Sequence, residues 1–326
     1  MKQVLKDNLS RYSAGECQTA RGLFILPIFV GGSGNTRPYI SLHEAMRQGS
    51  LVISEVSEGG SVPDMRVVNR GNIPVLLLDG EELRGAKQNR VLNSSILVDA
   101  ESELVVPVSC TEAGRWSYSR SNFEESGNVM PARHRSGKMA DVSMSLKMSG
   151  EYRSNQSRVW DDINRFQDEH SAHSPTSAME DVYRSRGEML DEICAAFPLL
   201  GGQCGIYAGI GGQFAGLDLV SHPDVWKDLH SKLVRSYAID VVSRRIPESP
   251  LDPGKLDGLF SALLESDVSN YRSVGLGDDL RFERRDLTGS ALLWDNDLVH
   301  LAAYPSLRHS EQIDQGRYHS PRHRVL

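Results

Sequence analysis

The sequence predicts an α+β fold with a β-rich N-terminal half, a helical middle and a C-terminal half of hairpins and helices. Three observations carry this. Residues 62–110 hold short apolar segments separated by polar turns, the spacing of a sandwich or antiparallel sheet. Residues 159–197 place Trp160, Ile163, Phe166 and then Met179, Val182, Tyr183 at helical intervals. Residues 205–220 are two apolar runs joined at Gly211-Gly212, a hairpin signal.

Taken in order, Leu23–Val30 is rich in β-formers and reads as a strand. Gly31-Gly32-Ser33-Gly34 ends it. A glycine cluster before a helix can cradle phosphate, but this one lacks the Lys-Ser/Thr of a P-loop, so a plain turn is the preferred reading. Ser41-Leu42-His43-Glu44 is a capping box for a short helix that Gly49 stops, and 51–56 is the next strand. In the β block, 64–69 alternates, 75–78 follows Pro74, and 94–98 and 104–109 flank a polar link. Asp79-Gly80 is a further turn signal.

Residues 117–158 change character: ten of 42 are serine, and seven Lys or Arg face four Asp or Glu. So polar a segment is expected to bury little. It reads as a surface excursion, or alternatively as a lid or basic rim over a ligand, with a helix near 138–148. Further on, 225–242 is a helix with Trp226, Leu229, Leu233 and Tyr237 inward, and 256–265 is a shorter one. Segments 281–283, 290–294 and 298–304 form a closing meander with its tight turn at Asn296-Asp297. The expected organisation is 1–116 as a β-rich region carrying a polar motif, 117–158 as the excursion, 159–305 as an α+β region packed on the first, and 306–326 as a disordered tail.

Composition narrows the function. The 326 residues carry 36 Lys+Arg and 43 Asp+Glu, a formal charge of −7, with 39% hydrophobic residues. This excludes rods, collagen-like chains and general nucleic-acid coating, which needs a basic surface. No apolar run reaches the about 18–20 residues that span a bilayer. Cys17, Cys110, Cys194 and Cys204 are far apart, without a C-x-x-C pair, so a reduced cytoplasmic protein is expected. His173, His222, His230 and His300 are scattered, with no H-x-x-x-H spacing among them, and no metal site or cofactor is assigned.

The chemistry concentrates in 79–93. Glu81 and Glu82 stand with Arg84, Lys87 and Arg90 and with the amides Gln88, Asn89 and Asn93. If 81–85 bulges over a sheet end, these groups converge on a cavity. A strand reading of 87–93 puts Lys87, Asn89 and Asn93 on one face and Gln88 and Arg90 on the other. Downstream, Glu112 is a candidate acid or base, Arg115 an anion fork and Trp116 a stacking surface. Cys110 reads as a small buried hydrophobe, because no histidine is tied to it as a base. On the later helix, Lys232, Arg235 and Ser236 share a face. They read as a solvated edge, or Arg235 and Ser236 complete the pocket.

Two stretches carry a family resemblance. They are Gly80-Glu81-Glu82-Leu83-x-Gly85-x-Lys87-Gln88-Asn89-Arg90-x-Leu92-Asn93 and Pro107-Val108-Ser109-Cys110-x-Glu112-x-Gly114-Arg115-Trp116, with Lys-Leu-Val-Arg-Ser-Tyr at 232–237 in support. The chain resembles, over roughly 20–305, the domain family associated with ADP-ribosylglycohydrolases and rhodanese/phosphatase-superfamily proteins. The resemblance implies a role near NAD or ADP-ribose metabolism and a functional link to ADP-ribosylglycohydrolase or phosphatase proteins. It transfers no catalytic residues.

The expected function is therefore binding, and hydrolysis, of an ADP-ribose-like or phosphorylated nucleoside ligand. Glu81, Glu82 or Glu112 would activate water; Lys87, Arg90 and Arg115 would hold phosphate. The alternatives are a non-catalytic binding or partner-docking module, and a structural domain whose polar motif braces the β block. All of this requires the charged groups of the eighties and the 110s to meet around one hollow.

Overall fold

Helix α1 (Lys2–Leu9) leads into two short strands, β1 (Tyr12–Ala14) and β2 (Gln18–Ala20), which pair side by side along one edge of β3 (Leu23–Val30). The computed structural model describes residues 2–32, 37–57, 63–247 and 252–306. The two-residue β4 (Ile40–Ser41) precedes α2 (Leu42–Arg47), where Ser41 Oγ accepts from Glu44 N at 3.0 Å, the N-cap half of the expected capping box, while the Glu44 carboxylate turns to Arg47 and Gln48. The β block follows as β5 (Leu51–Glu55), β6 (Asp64–Asn69), β7 (Val75–Leu77), β8 (Glu81–Gly85), β9 (Arg90–Leu92), β10 (Ile96–Val98), β11 (Ser102–Cys110) and β12 (Phe123–Val129). The helical middle is α3 (Ala132–Ser149), α4 (Gln156–Glu169), α5 (Met179–Ser185) and α6 (Gly187–Cys194). The chain closes with β13 (Gln203–Ile210), β14 (Gln213–Val220), α7 (Pro223–Ala238), α8 (Lys255–Glu265), β15 (Asp267–Arg272), β16 (Asp278–Glu283), β17 (Leu287–Trp294) and β18 (Asp297–Pro305).

A nine-stranded antiparallel sheet has the order β1-β3-β13-β14-β18-β17-β16-β15, with β2 beside β3. It joins the two ends of the chain: Leu26 pairs with Tyr207, and Leu219 with Leu301. Strand β3 is apolar throughout because both its faces are covered. Leu23 and Ile25 pack under the helices, among Trp226, Phe166 and Tyr237, while Phe24, Leu26 and Ile28 pack on the opposite side with Leu9, Phe260 and Phe282. A six-stranded sheet, β12-β8-β9-β11-β6-β5, and a three-stranded one, β10-β7-β4, enclose a third apolar group around Ile53, Met65, Leu83 and Leu92.

The α+β class, the hairpin at Gly211-Gly212 and the helices near 225 and 256 stand as expected. Four local expectations are corrected. Residues 81–85 are not a bulge: β8 pairs with both β9 and β12. Only Arg90–Leu92 of the 87–93 segment is strand, because the chain turns first through Ala86, whose φ is +38°. The meander turn falls on Asp295-Asn296, both at positive φ, rather than on Asn296-Asp297.

The fourth correction is the largest. The segment 117–158 is not a surface excursion as a whole. Strand β12 enters the six-stranded sheet, and α3 buries His134, Arg135, Ser136 and Lys138 along with Met139, Val142 and Leu146. Arg135, Ser136 and Lys138 are interior because each meets a partner there, Asp218, Pro305 O and Asp79, while His134 packs edge-on against Phe166. Ser33 and Gly34 of the glycine cluster, and 307–326 of the expected tail, lie outside the described residues.

Candidate functional site

Strand alternation divides the motif. On one face of β8, Glu81 is fully buried: one oxygen accepts from Leu78 N at 3.0 Å and the other pairs with Lys232 of α7. Lys232 also meets Glu125 at 2.6 Å, and Glu125 in turn meets His43 at 2.8 Å. Burial alone would lower the Lys232 ammonium, but Glu81 and Glu125 reverse this and raise it. Lys232 is thus a buried cation, not a solvated helix edge.

Deeper still lies an ionic interior. Arg135 holds Asp218 through two bonds of 2.7 and 2.9 Å; Tyr237 donates to Asp218 at 2.6 Å and Tyr304 at 3.2 Å. Burial would lift the Asp218 carboxyl, yet Arg135 brings it down to about 2. Lys138 pairs with Asp79 and donates to the carbonyls of Leu92 and Asn93 at 2.8 and 3.2 Å. His300 and the Asp79 amide meet on Ser95 Oγ, each at 2.9 Å. The expected ligand contacts Arg90, Asn93 and Ser236 belong to this kind of environment. Arg90 is buried against Glu55 at 3.4 Å, Asn93 donates to Tyr152 O at 3.0 Å, and Ser236 accepts from Arg135 at 3.2 Å.

On the opposite face of β8, Glu82 and Arg84 point toward α5. Glu82 is fully buried, accepting from Thr111 Oγ1 at 2.9 Å and Asn128 Nδ2 at 3.4 Å. Burial and then the charge of Glu180 push its carboxyl up to about 8, so it is protonated at neutral pH. Arg84 emerges at an open polar cleft of about 320 Å³ that Asn89, Arg115, Arg120, Glu180 and Arg184 also line. Arg84 donates to Glu180 at 3.0 Å and to Glu124 at 2.8 Å; Asn89 donates to Glu180 at 3.2 Å.

The cleft exists because residues 174–180 dock onto the end of β11. Glu112 bridges Ala178, Met179 N donates to Thr111 O at 2.9 Å, and Gly114 N donates to Thr176 O at 2.8 Å. Gly114 permits this approach: a Cβ there would stand 2.9 Å from Thr176 Cα.

Glu112 lines the cleft with every lone pair engaged. It accepts from Arg115 at 2.9 and 2.6 Å, Asn89 N at 3.1 Å and Thr176 Oγ1 at 2.8 Å. Gln88 is buried behind it, donating to Glu112 O at 2.9 Å and accepting from Cys110 Sγ at 3.1 Å. Burial lifts that thiol to about 11, which removes thiolate chemistry at neutral pH. Arg115 further donates to Ala86 O at 2.8 Å and Ser119 Oγ at 3.2 Å, fixing the loop that forms the cleft rim. On that loop Trp116 and Tyr118 are 49% and 51% exposed, and Lys87 Nζ lies 5.3 and 5.2 Å from their ring centres.

The structure therefore brings Asn89, Glu112 and Arg115 onto one hollow, sets Glu82 behind it and Lys87 with Trp116 beside it. Arg235 does not line the cleft; it pairs with Asp191. Sequence reading placed Arg84 in the charged stretch without a ligand role, and missed Arg120, Arg184 and above all Glu180. Arg84 had a signal, since it shares strand parity with Glu82. Glu180 had none, because it arrives through tertiary docking.

These features define a mixed α+β protein with an arginine-rich polar cleft where a six-stranded sheet meets a helical layer. The chain belongs to the ARG and Rhodanese-Phosphatase-superfamily-associated Protein domain family, whose model matches residues 11–304. No curated protein and no solved structure matches it.

Proposed function

We propose that the cleft binds an ADP-ribose-like or other phosphorylated nucleoside ligand and supports its hydrolysis. The observation that carries this reading is the rim loop. It combines Arg120, largely exposed at the cleft, with two exposed aromatic rings that already face Lys87, while Arg115, its N–H groups taken by the loop and Glu112, holds the rim in shape. Arginine forks suit phosphate oxygens, and exposed indole and phenol faces suit a planar base. The association named in the family's description supports a ligand of this class.

For hydrolysis, Glu180 faces the cleft, and burial together with the Glu180 charge holds Glu82 protonated behind it. Glu180 takes the proton of the attacking water. Glu82, out of contact with the ligand, braces Thr111, whose carbonyl holds Met179 next to Glu180. Glu81 and Glu112 hold the frame through their saturated bonds.

A second reading has one observation in its favour. Both Glu180 oxygens accept bonds, from Arg84 and Asn89, which suits capture of a ligand without turnover. The test is a thermal-shift screen over ADP-ribose, NAD and nucleotides, followed by product analysis for the best binder. Stabilisation with product that Glu180→Gln abolishes supports the enzyme; stabilisation without product supports the binding module. No shift with any of these ligands overturns both.

A further inference from the structure

Away from the cleft, two adjoining cavities of about 190 and 130 Å³ share Asp240 and Arg244. They lie where the end of α7 meets α3, the end of α4 and the β13–β14 hairpin. Asp240 is only 8% exposed and follows directly on the C-cap residue of α7. A carboxylate there suffers twice: from lost hydration and from the negative end of the helix dipole. Its Oδ1 stands 3.0 Å from Arg133 Nε, an ion pair that lacks the alignment of a hydrogen bond. Arg133 gives its better bond, 2.6 Å, to Glu169. Arg244 is half exposed and reaches Glu169 only at 3.4 Å.

The charges balance, two guanidinium groups against two carboxylates. His170 and Ser243 complete the smaller cavity, and burial with Arg133 nearby takes that imidazole down to about 4, so it adds no charge at neutral pH. A ligand with a net charge would leave one charge uncompensated; a zwitterion would not. The larger cavity adds an apolar wall of Ile210, Ala215 and Pro305. Each cavity alone lies below the ~300 Å³ at which drug-sized pockets begin, and the two together only reach that lower bound, so the ligand is small.

We propose that these joined cavities bind an α-amino acid with an aliphatic side chain, its ammonium on Asp240, its carboxylate on Arg244 and its side chain against Ile210, Ala215 and Pro305. The ammonium supplies the aligned donors that Arg133 does not.

The experiment is calorimetric titration of the full chain with L-valine, isobutylamine and isovalerate. The last two each lack one of its charges. L-valine is expected to bind saturably and the analogues at least about tenfold more weakly, with Asp240→Asn and Arg244→Gln each costing L-valine about tenfold or more. Arg244→Gln, at a half-exposed position, keeps the test open if Asp240→Asn fails to fold. Absence of L-valine binding, equal binding of the analogues, or wild-type affinity in Arg244→Gln would overturn the proposal. None of these outcomes depends on the nucleotide cleft.

Discussion

The ionic interior around Arg135 and the cleft around Arg115 are built from the same residue types, and they differ in water. In the interior, Arg135, Asp218, Lys138 and Asp79 are all almost wholly buried. In the cleft, Arg84, Arg120 and Arg184 pair with Glu124, Glu180 and Asp181 while keeping 43%, 60% and 71% of their side chains exposed. Removing one partner of a buried pair strands a charge where nothing else solvates it. An exposed pair gives up its partner at little cost, which is what a binding surface requires. Charge density in a sequence therefore marks neither site nor scaffold until burial is known.

The contrast is sharpest for Arg135→Ala. Losing both bonds to Asp218 is expected to cost about 3–5 kcal/mol. Urea unfolding measures it, and a cost under about 1 kcal/mol would erase the distinction between the regions.

Glu82→Gln tests the boundary between them. The folded carboxyl titrates at about 8 against an ordinary 4.5, so the folded state keeps a proton that the unfolded state releases. Stability of the wild type should fall as pH rises from about 4.5 to about 8, by on the order of a few kcal/mol. Glu82→Gln removes that slope, so unfolding midpoints should agree near pH 4.5 and favour the variant at pH 9. Parallel profiles would show that Glu82 is not held protonated.

Gly80 sits at φ +79°, and a Cβ there would press into the Arg135 side chain. Gly80→Ala should destabilise by about 1–3 kcal/mol, read as a lowered melting temperature. The smallest effect on the fold belongs to Arg120→Ala. Its stability should stay within about 0.5 kcal/mol of wild type, while affinity for ADP-ribose drops about tenfold in a titration. Unchanged affinity would move the ligand off this rim.

Much of the frame was legible. Helical spacing located α4 and α7, and the glycine pair located the β13–β14 hairpin, because periodicity reports which face is buried. Helix α3 misled for the same reason. Its buried face is polar, and composition cannot distinguish an arginine in water from one locked on Asp218. For the cleft, Glu112 and Arg115 were readable from their clustering, whereas Glu180 is 68 residues beyond Glu112 and joins it through the Glu112–Ala178 bridge. The alternation drawn through 87–93 failed because the chain turns at Ala86 before β9 begins.

The pairing of β3 with β13 also bears on how the protein is made. During synthesis the apolar segment Leu23–Val30 leaves the ribosome long before Gln203–Ile210, its inner neighbour in the sheet. Until then its backbone amides on that side lack their final acceptors, and both apolar faces lack their covers. The nascent chain is therefore most prone to aggregate over this interval, and chaperone capture of ribosome-bound fragments should start to fall once the hairpin has emerged and end only when Trp226, Tyr237, Phe260 and Phe282 have followed.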